Sequence, residues 1–222
     1  MFGGNMEILE LIRQRHSVRK YLDKPIEEEK KNILNEVVSS LNKKYGTHVQ
    51  VFYDDIDAFK NATTTYGSFS GCKNIIALVG NNAQTCGYVG ELLVLKAQEL
   101  GLNTCFVGLT YNRGYVKSKV KIMSGEKVQC SIALGYGETQ GVPHKSKSAQ
   151  SVLTLVGEKP EKLDEVVQAC LLAPTAINQQ KFKIICTNGK IEVKKAGIGF
   201  YRDMDLGIVK SHVDLVLGKI TL

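Results

Sequence analysis

The chain has 222 residues, of which 43% are hydrophobic and 23% are charged, and its formal net charge is +7. This length and composition fit one domain with a substantial core and exclude a disordered or fibrous protein. There is no apolar run of the roughly 20 residues that cross a bilayer and no signal peptide, so we expect a cytoplasmic protein without membrane contact.

Hydrophobic periodicity predicts helices and strands that alternate along the chain. Apolar residues recur at helical spacing around 6–12, 26–45, 88–100, 160–171 and 205–217. Short apolar runs predict strands at 47–53, 74–79, 103–107 and 128–134, and Asn188-Gly189 predicts a hairpin of strands 181–187 and 190–194. Because strands interleave with helices throughout, the fold class is α/β or α+β.

A short internal echo bears on the domain organisation. Glu36-Val37-Val38 and Glu165-Val166-Val167 each lie in a predicted helix that runs toward a predicted strand. We expect a single domain over residues 1–222. Within it, the echo predicts two related half-repeats, about 1–150 and 151–222, with a site between them.

The cysteines and histidines point away from disulfides and metals. The six cysteines are widely spaced, and none belongs to a Cys-x-x-Cys pair, so we interpret them as reduced thiols. Cys105, Cys130 and Cys186 lie in apolar runs typical of small core residues. The four histidines have no His or Cys neighbour at ligand spacing, so we expect no metal site.

The most polar cluster in the first half comprises Arg15, His16, Ser17 and Arg19, at the end of the first helix. Two guanidinium groups, an imidazole and a hydroxyl suit a phosphate and a polyol chain. A solvated basic helix end has a similar composition. We favour an anion site, because a solvated patch has no need of Ser and His between two arginines.

Two polar segments in the second half are further candidates. Residues 173–182 place Asn178, Gln179 and Gln180 on a turn between a helix and a strand. Amides both donate and accept hydrogen bonds, as the edge of a heteroaromatic ring requires. Lys145 and Lys147 are either phosphate partners or part of a flexible charged segment, and the sequence leaves both interpretations open.

These motifs together resemble those of the FMN-dependent nitroreductase family. Arg15-His16-Ser17-x-Arg19 looks like the family's opening motif, and residues 173–182 are similar to its Ala-Pro-Ser-Ser-x-Asn-x-Gln-Pro-Trp segment. Residues 100–108 resemble its Gly-Leu-Gly-x-x-x-Trp stretch. Here the Asn-containing segment follows the arginine motif by about 160 residues. That order resembles a smaller branch of the family built from two half-repeats, and Lys181-Phe182 replaces the usual Pro-Trp.

The resemblance implies an α+β fold of three α-β-α layers with a mainly antiparallel central sheet. It implies that Arg15, Ser17 and Arg19 hold the FMN phosphate and ribityl chain, with His16 beside them and Asn178 at the isoalloxazine edge. It also implies a homodimer with FMN at the subunit interface. The other predicted cofactor-binding positions are Gln180, Gly108 and, by a looser match, Lys145 and Lys147.

The implied function is an oxidoreductase that takes a hydride from NADH or NADPH at flavin N5 and passes it to nitroaromatic, quinone-like or other electron-poor small molecules. Its kinetics would be ping-pong, and no catalytic side chain is expected because the flavin carries the chemistry. One alternative is a non-catalytic flavin-binding or flavin-storage protein of the same fold. The last is a basic nucleic-acid-binding protein, which we disfavour because no extended basic face is evident.

Overall fold

The computed structural model describes residues 7–59 and 69–220, in which helices and strands alternate. The α-helices are α1 Ile8–Gln14, α2 Glu28–Tyr45, α3 Ala83–Glu99, α4 Arg113–Lys119, α5 Ala149–Val152, α6 Leu163–Leu172 and α7 Arg202–Val216, with a 3₁₀ turn at Ala176–Asn178. The strands are β1 Gln50–Phe52, β2 Asn74–Gly80, β3 Asn103–Val107, β4 Lys127–Gly135, β5 Leu153–Val156, β6 Phe182–Thr187 and β7 Lys190–Lys195.

The first sheet has the strand order β1-β2-β4-β3, and all its neighbours are antiparallel. One of its two inner strands, β2, is buried along its whole length because both faces are covered. Successive side chains of a strand point to opposite faces. Ile76 and Leu78 therefore join the large core with the helices, whereas Ile75 and Ala77 join a second cluster with Tyr111 and Val116.

The second sheet has the order β5-β6-β7, with β5 parallel to β6 and β6 antiparallel to β7. The predicted hairpin is confirmed. Its two turn residues, Asn188 and Gly189, have φ angles of 47° and 79°, as the tight Asn-Gly hairpin turn requires. The strands thus form two sheets, and the predicted α+β class with mainly antiparallel pairing is confirmed.

Helices α3 and α7 connect the two sheets, since α3 packs on the first sheet, α7 packs on β7, and the two helices pack on each other. Two glycines allow this close approach. A Cβ atom on Gly87 would lie 2.2 Å from the Met204 carbonyl oxygen, and one on Gly207 would lie 1.9 Å from the Gln84 carbonyl oxygen. The helix pair therefore fixes how the two halves of the chain meet.

The succession helix, strand, strand, helix occurs twice along the chain, as α2-β1-β2-α3 and as α6-β6-β7-α7. In both cases the two strands pair antiparallel. Glu36-Val37-Val38 lies in α2 and Glu165-Val166-Val167 in α6, the first helix of each succession. A common origin of the two halves stays a prediction.

Several local features differ from expectation. The strand predicted at 47–53 is shorter in the structure, where it covers Gln50–Phe52. Asn42 holds the preceding residues through hydrogen bonds, because its Oδ1 accepts from Thr47 Oγ1 at 2.8 Å and from the Val49 amide at 2.8 Å. Helix α4 and the α5–β5 segment were not predicted.

All six cysteines are buried and free, and burial raises the pKa of Cys130 to about 12. Over residues 7–59 and 69–220, no helix combines the length and apolarity that a membrane crossing needs.

Candidate functional site

The polar segments singled out in the sequence meet at the C-terminal end of α6. The last carbonyls of a helix have no intrahelical partner, so they attract donors from other parts of the chain. Three side chains donate to Leu171 O: His144 through Nε2 at 2.9 Å, Ser146 through Oγ at 3.1 Å and Gln180 through Nε2 at 3.2 Å. A fourth donor, Arg15 Nη2, reaches Leu172 O at 3.4 Å.

The segment with Lys145 and Lys147 forms one unit with the amide turn. Asn178 Nδ2 donates to Lys145 O at 2.7 Å, and the Lys147 amide donates to Gln180 Oε1 at 2.8 Å. Lys147 Nζ donates to Gln179 O at 2.9 Å and to Gln180 O at 2.8 Å. Gln180 Nε2 in turn donates to Asn178 Oδ1 at 3.1 Å. The two lysines are therefore not part of a detached charged segment.

The turn that carries Asn178 has an unusual backbone. Ile177, Asn178 and Gln180 have φ angles of 47°, 54° and 46°, a region that non-glycine residues rarely occupy and that is costly for a β-branched side chain. The side chains of Ile177 and Asn178 are both exposed. The surrounding structure has to hold this conformation.

Asp205, in the first turn of α7, supplies that support. Its Oδ1 accepts from the Ala176 amide at 2.9 Å, and its Oδ2 accepts from Gln179 Nε2 at 2.7 Å. Asp205 is 5% exposed, and burial raises its pKa to about 6, although both hydrogen bonds act to lower it. The sequence analysis missed Asp205, because an acidic residue is common in the first turn of a helix, where it interacts favourably with the positive end of the helix dipole.

The arginine motif leaves α1 and runs along the first sheet. Ser17 forms an isolated parallel bridge with Thr104 of β3, and the Val18 amide donates to Thr104 O at 3.0 Å. Arg15 is 3% exposed and Arg19 is exposed. His16 lies under the loop at Gly141, where a Cβ atom would come within 2.7 Å of the His16 Cβ.

Gly108 lies beside the start of α7. Tyr201 Oη donates to Gly108 O at 3.0 Å, and a Cβ atom at this position would come within 2.8 Å of the Tyr201 ring. The residue before Tyr201, Phe200, accepts from Gln179 Nε2 through its carbonyl oxygen at 2.6 Å. Gly108 is therefore joined to the amide turn through the 200–201 backbone.

The site is electrostatically positive. Partial burial, then Arg15 and His144, lower the pKa of His16, and burial, then Lys181 and Lys183, lower the pKa of Lys147. In the part of the chain that the structure describes, five basic side chains near these segments form no ion pair: Arg19, Lys145, Lys147, Lys181 and Lys183. Arg15 faces one carboxylate, with its Nε 3.8 Å from Glu91 Oε1.

This donor set fits an anionic cofactor. A bound negative charge would offset the positive charge that lowers the pKa of His16 and of Lys147, and the Arg15 Nε is buried without a hydrogen-bond partner among the described residues. Residues 7–59 and 69–220 contain no group of three or more His, Cys, Asp or Glu side chains placed to hold an ion.

A cavity of about 240 Å³ lies elsewhere in the molecule. It is bordered by the start of β2 at Asn74, the end of β4 at Gly135, and by Tyr21, Lys24 and Lys73. None of the predicted cofactor-binding residues lines it. Lys73 is already paired with Asp23 at 2.5 Å, and Lys24 with Glu27 at 3.3 Å. The meeting of the polar segments at α6 therefore carries the functional argument.

Solved structures with a similar fold define the class. A crystal structure described as a putative nitroreductase from Thermotoga maritima has a TM-score of 0.70 and 24% identity, and the match covers 97% of this chain and 86% of that one. A putative NADH dehydrogenase/NAD(P)H nitroreductase from Bacteroides thetaiotaomicron has a TM-score of 0.54 and 20% identity over 67% of this chain and 97% of its own. A putative NADH oxidase from Clostridium acetobutylicum scores 0.51 with 21% identity over 64% and 96%. These similarities establish the nitroreductase fold.

The family follows from the sequence as a whole. The family model described as "Putative TM nitroreductase" matches residues 7–217, nearly the entire chain. The chain therefore belongs to the nitroreductase family, and the protein is an oxidoreductase enzyme. No curated protein sequence matches it.

Proposed function

We propose that the protein is an FMN-dependent NAD(P)H oxidoreductase that reduces electron-poor small molecules. The observation that carries this proposal is the meeting of the arginine motif with the amide turn at the end of α6, although about 160 residues separate the two in sequence. Surplus positive charge at the same place supports an anionic ligand rather than a purely structural cap.

The first-half motif and the two lysines would hold the phosphate and the ribityl chain. Their donors are the guanidinium groups of Arg15 and Arg19, the Ser17 hydroxyl and the His16 ring; Lys145 and Lys147 add charge. Asn178, Gln180 and Gly108 would lie on the ring side of the site. When bound, FMN would supply hydride exchange at N5, from NADH or NADPH to an acceptor, in ping-pong order. The chain's part is to bind, to orient and to donate hydrogen bonds.

Exposed apolar side chains next to the amide turn favour a flat, apolar acceptor such as a nitroaromatic or a quinone. Ile198 is 92% exposed and Phe200 76% exposed, and Ile177 and Leu109 are exposed as well. Each lies within one or two residues of the contacts that join Gly108, Gln179 and Phe200. Large apolar side chains gathered at one edge of a polar site are typical of small-molecule binding.

The oligomeric state is part of the proposal. The family resemblance implies a homodimer with FMN between subunits, whereas here both polar segments touch within one chain. We propose that each chain builds its FMN site from its own two halves. The homodimer stays a prediction that sedimentation of the FMN-loaded protein tests. A cytoplasmic location and the absence of nucleic-acid partners stay predictions as well.

The first experiment is the visible absorption spectrum of the purified protein, with chromatographic identification of any flavin released on denaturation. Bound FMN that NADH or NADPH bleaches without oxygen supports the oxidoreductase. Bound FMN that neither nucleotide reduces would instead identify a flavin-storage protein. A colourless protein that takes up no added FMN overturns the proposal, and salt-sensitive binding of DNA or RNA would then favour the basic-surface alternative.

A matched pair of variants tests the placement. Arg19→Gln should weaken FMN binding by roughly 1.5–3 kcal/mol, as expected for a hydrogen bond to a charged group. Arg13→Gln removes the same charge from the end of α1, where Arg13 pairs with Glu10, and should leave the affinity unchanged. Equal effects of the two changes would mean that overall charge, and not the motif, governs binding.

A further inference from the structure

A buried polar pair joins the two central helices. Glu91 of α3 and His212 of α7 are both fully buried, and His212 Nε2 lies 2.8 Å from Glu91 Oε1. The other ring nitrogen of His212, Nδ1, lies 2.7 Å from the carbonyl oxygen of Ala169 in α6. Three helices from both halves of the chain are thus tied together at one imidazole.

The geometry fixes how many protons the pair holds. A carbonyl oxygen only accepts, so His212 Nδ1 carries a proton that it donates to Ala169 O. The contact between Nε2 and Glu91 Oε1 needs a second proton, on the ring or on the carboxyl group. The positively charged group that faces this carboxyl group is the guanidinium of Arg15.

Arg15 is the third member of this cluster, and its two contacts are long. Its Nε lies 3.8 Å from Glu91 Oε1, and its Nη2 donates a long bond of 3.4 Å to Leu172 O. Within the described residues, Arg15 Nε and Glu91 Oε2 are both buried without a hydrogen-bond partner. His212 takes the hydrogen bond to Oε1. Glu91 therefore attracts the guanidinium without consuming its donors in a bidentate pair.

We propose that Glu91 and His212 are positioning residues that hold the Arg15 guanidinium in place for the FMN, so that a buried pair between the halves sets cofactor affinity without touching the cofactor. This inference rests on the proposed function. The inference and a simple electrostatic effect predict opposite changes in FMN affinity. Removing the Glu91 charge makes the site more positive, which by electrostatics alone would tighten the binding of an anion, whereas loss of the positioning role would weaken it.

The test is a double-mutant cycle on FMN affinity, measured by titrating FMN fluorescence with wild-type protein, Glu91→Gln, Arg15→Ala and the double variant. We expect Glu91→Gln to weaken FMN binding roughly tenfold, and we expect this loss to vanish in the Arg15→Ala background. Glu99→Gln is the matched control. It removes the same charge from the same helix, where Glu99 pairs with Lys96, and should leave FMN affinity unchanged.

The outcomes separate the explanations. Unchanged or tighter binding by Glu91→Gln overturns the inference. So does a loss that persists in the Arg15→Ala background, since that loss does not act through Arg15. Circular dichroism and thermal melting report folding, and if Glu91→Gln does not fold, His212→Gln takes its place in the same cycle with the same expected result. Wild-type protein that binds no FMN overturns the proposed function and this inference with it.

Discussion

Replacing Asp205 with Asn removes a buried carboxylate that holds the amide turn. Burial raises the pKa of Asp205 from an ordinary value of 3.8 to about 6, so the folded protein binds this proton more tightly than the unfolded chain does. The stabilisation is therefore complete below pH 3.8 and is lost as the pH rises through about 6. Acidification from pH 8 should stabilise the wild-type fold through this group.

The size of the effect follows from the two pKa values. The full shift of about two pH units corresponds to about 3 kcal/mol. At pH 5, one unit below the folded-state pKa, about 1.4 kcal/mol of this is present, and at pH 8 almost none is. The side-chain amide of the Asp205→Asn variant does not titrate. Between pH 8 and pH 5, the unfolding free energy of the wild type should therefore rise by about 1.4 kcal/mol relative to that of the variant.

Urea denaturation of both proteins at pH 5 and pH 8 measures this shift. Asp203→Asn, two residues earlier on the same helix turn, is the control, because Asp203 is exposed and pairs with Lys195. Since other groups titrate in the same range, the comparison between variants carries the information. If wild type and Asp205→Asn change in parallel between the two pH values, the carboxylate does not titrate as its burial requires and the reasoning is wrong.

Three further predictions concern packing, the acceptor and the phosphate. Gly207→Ala should destabilise the fold by about 2 kcal/mol or more, because the new methyl meets the Gln84 carbonyl; thermal melting against Gly114→Ala, where the new methyl makes only an ordinary contact of 3.9 Å with the Asn112 side-chain oxygen, checks this. Phe200→Ala should raise the KM for an aromatic acceptor several-fold with unchanged FMN affinity, and equal KM values would remove Phe200 from the acceptor site. Lys147→Met should weaken FMN binding and reduce its salt dependence, which titrations at two ionic strengths measure.

Local signals explain which elements the sequence could predict. The strand predicted at 103–107 is observed with the same limits, and the Asn188-Gly189 turn forms the predicted hairpin, because both depend on residues adjacent in the chain. Helix α4 has only Val116 buried, so it lacks the apolar stripe that predicts a helix. The α5 segment is four residues long, too short for any periodicity to register.

The candidate site was predicted in part for a related reason. Side-chain chemistry marked Arg15, Asn178 and the lysines as candidates, but it could not mark Glu91 or Asp205 as buried partners. A charged residue within a helical sequence is normally expected on the exposed face. Only the close packing of α3 on α7, which Gly87 and Gly207 permit, places Glu91 beside His212. Burial of this kind is a property of the assembled fold and has no local signature.

The end of α6 shows why structure and binding are hard to separate in this protein. Its last carbonyls need donors whether or not a ligand is present, and His144, Ser146 and Gln180 supply them. Those three side chains would be retained by the fold alone. Arg19 and Lys145 make no such contact and pair with no carboxylate in the described chain, so capping does not account for them. The surplus of charge over what the helix end requires is thus the part of the motif that the proposed bound anion would explain.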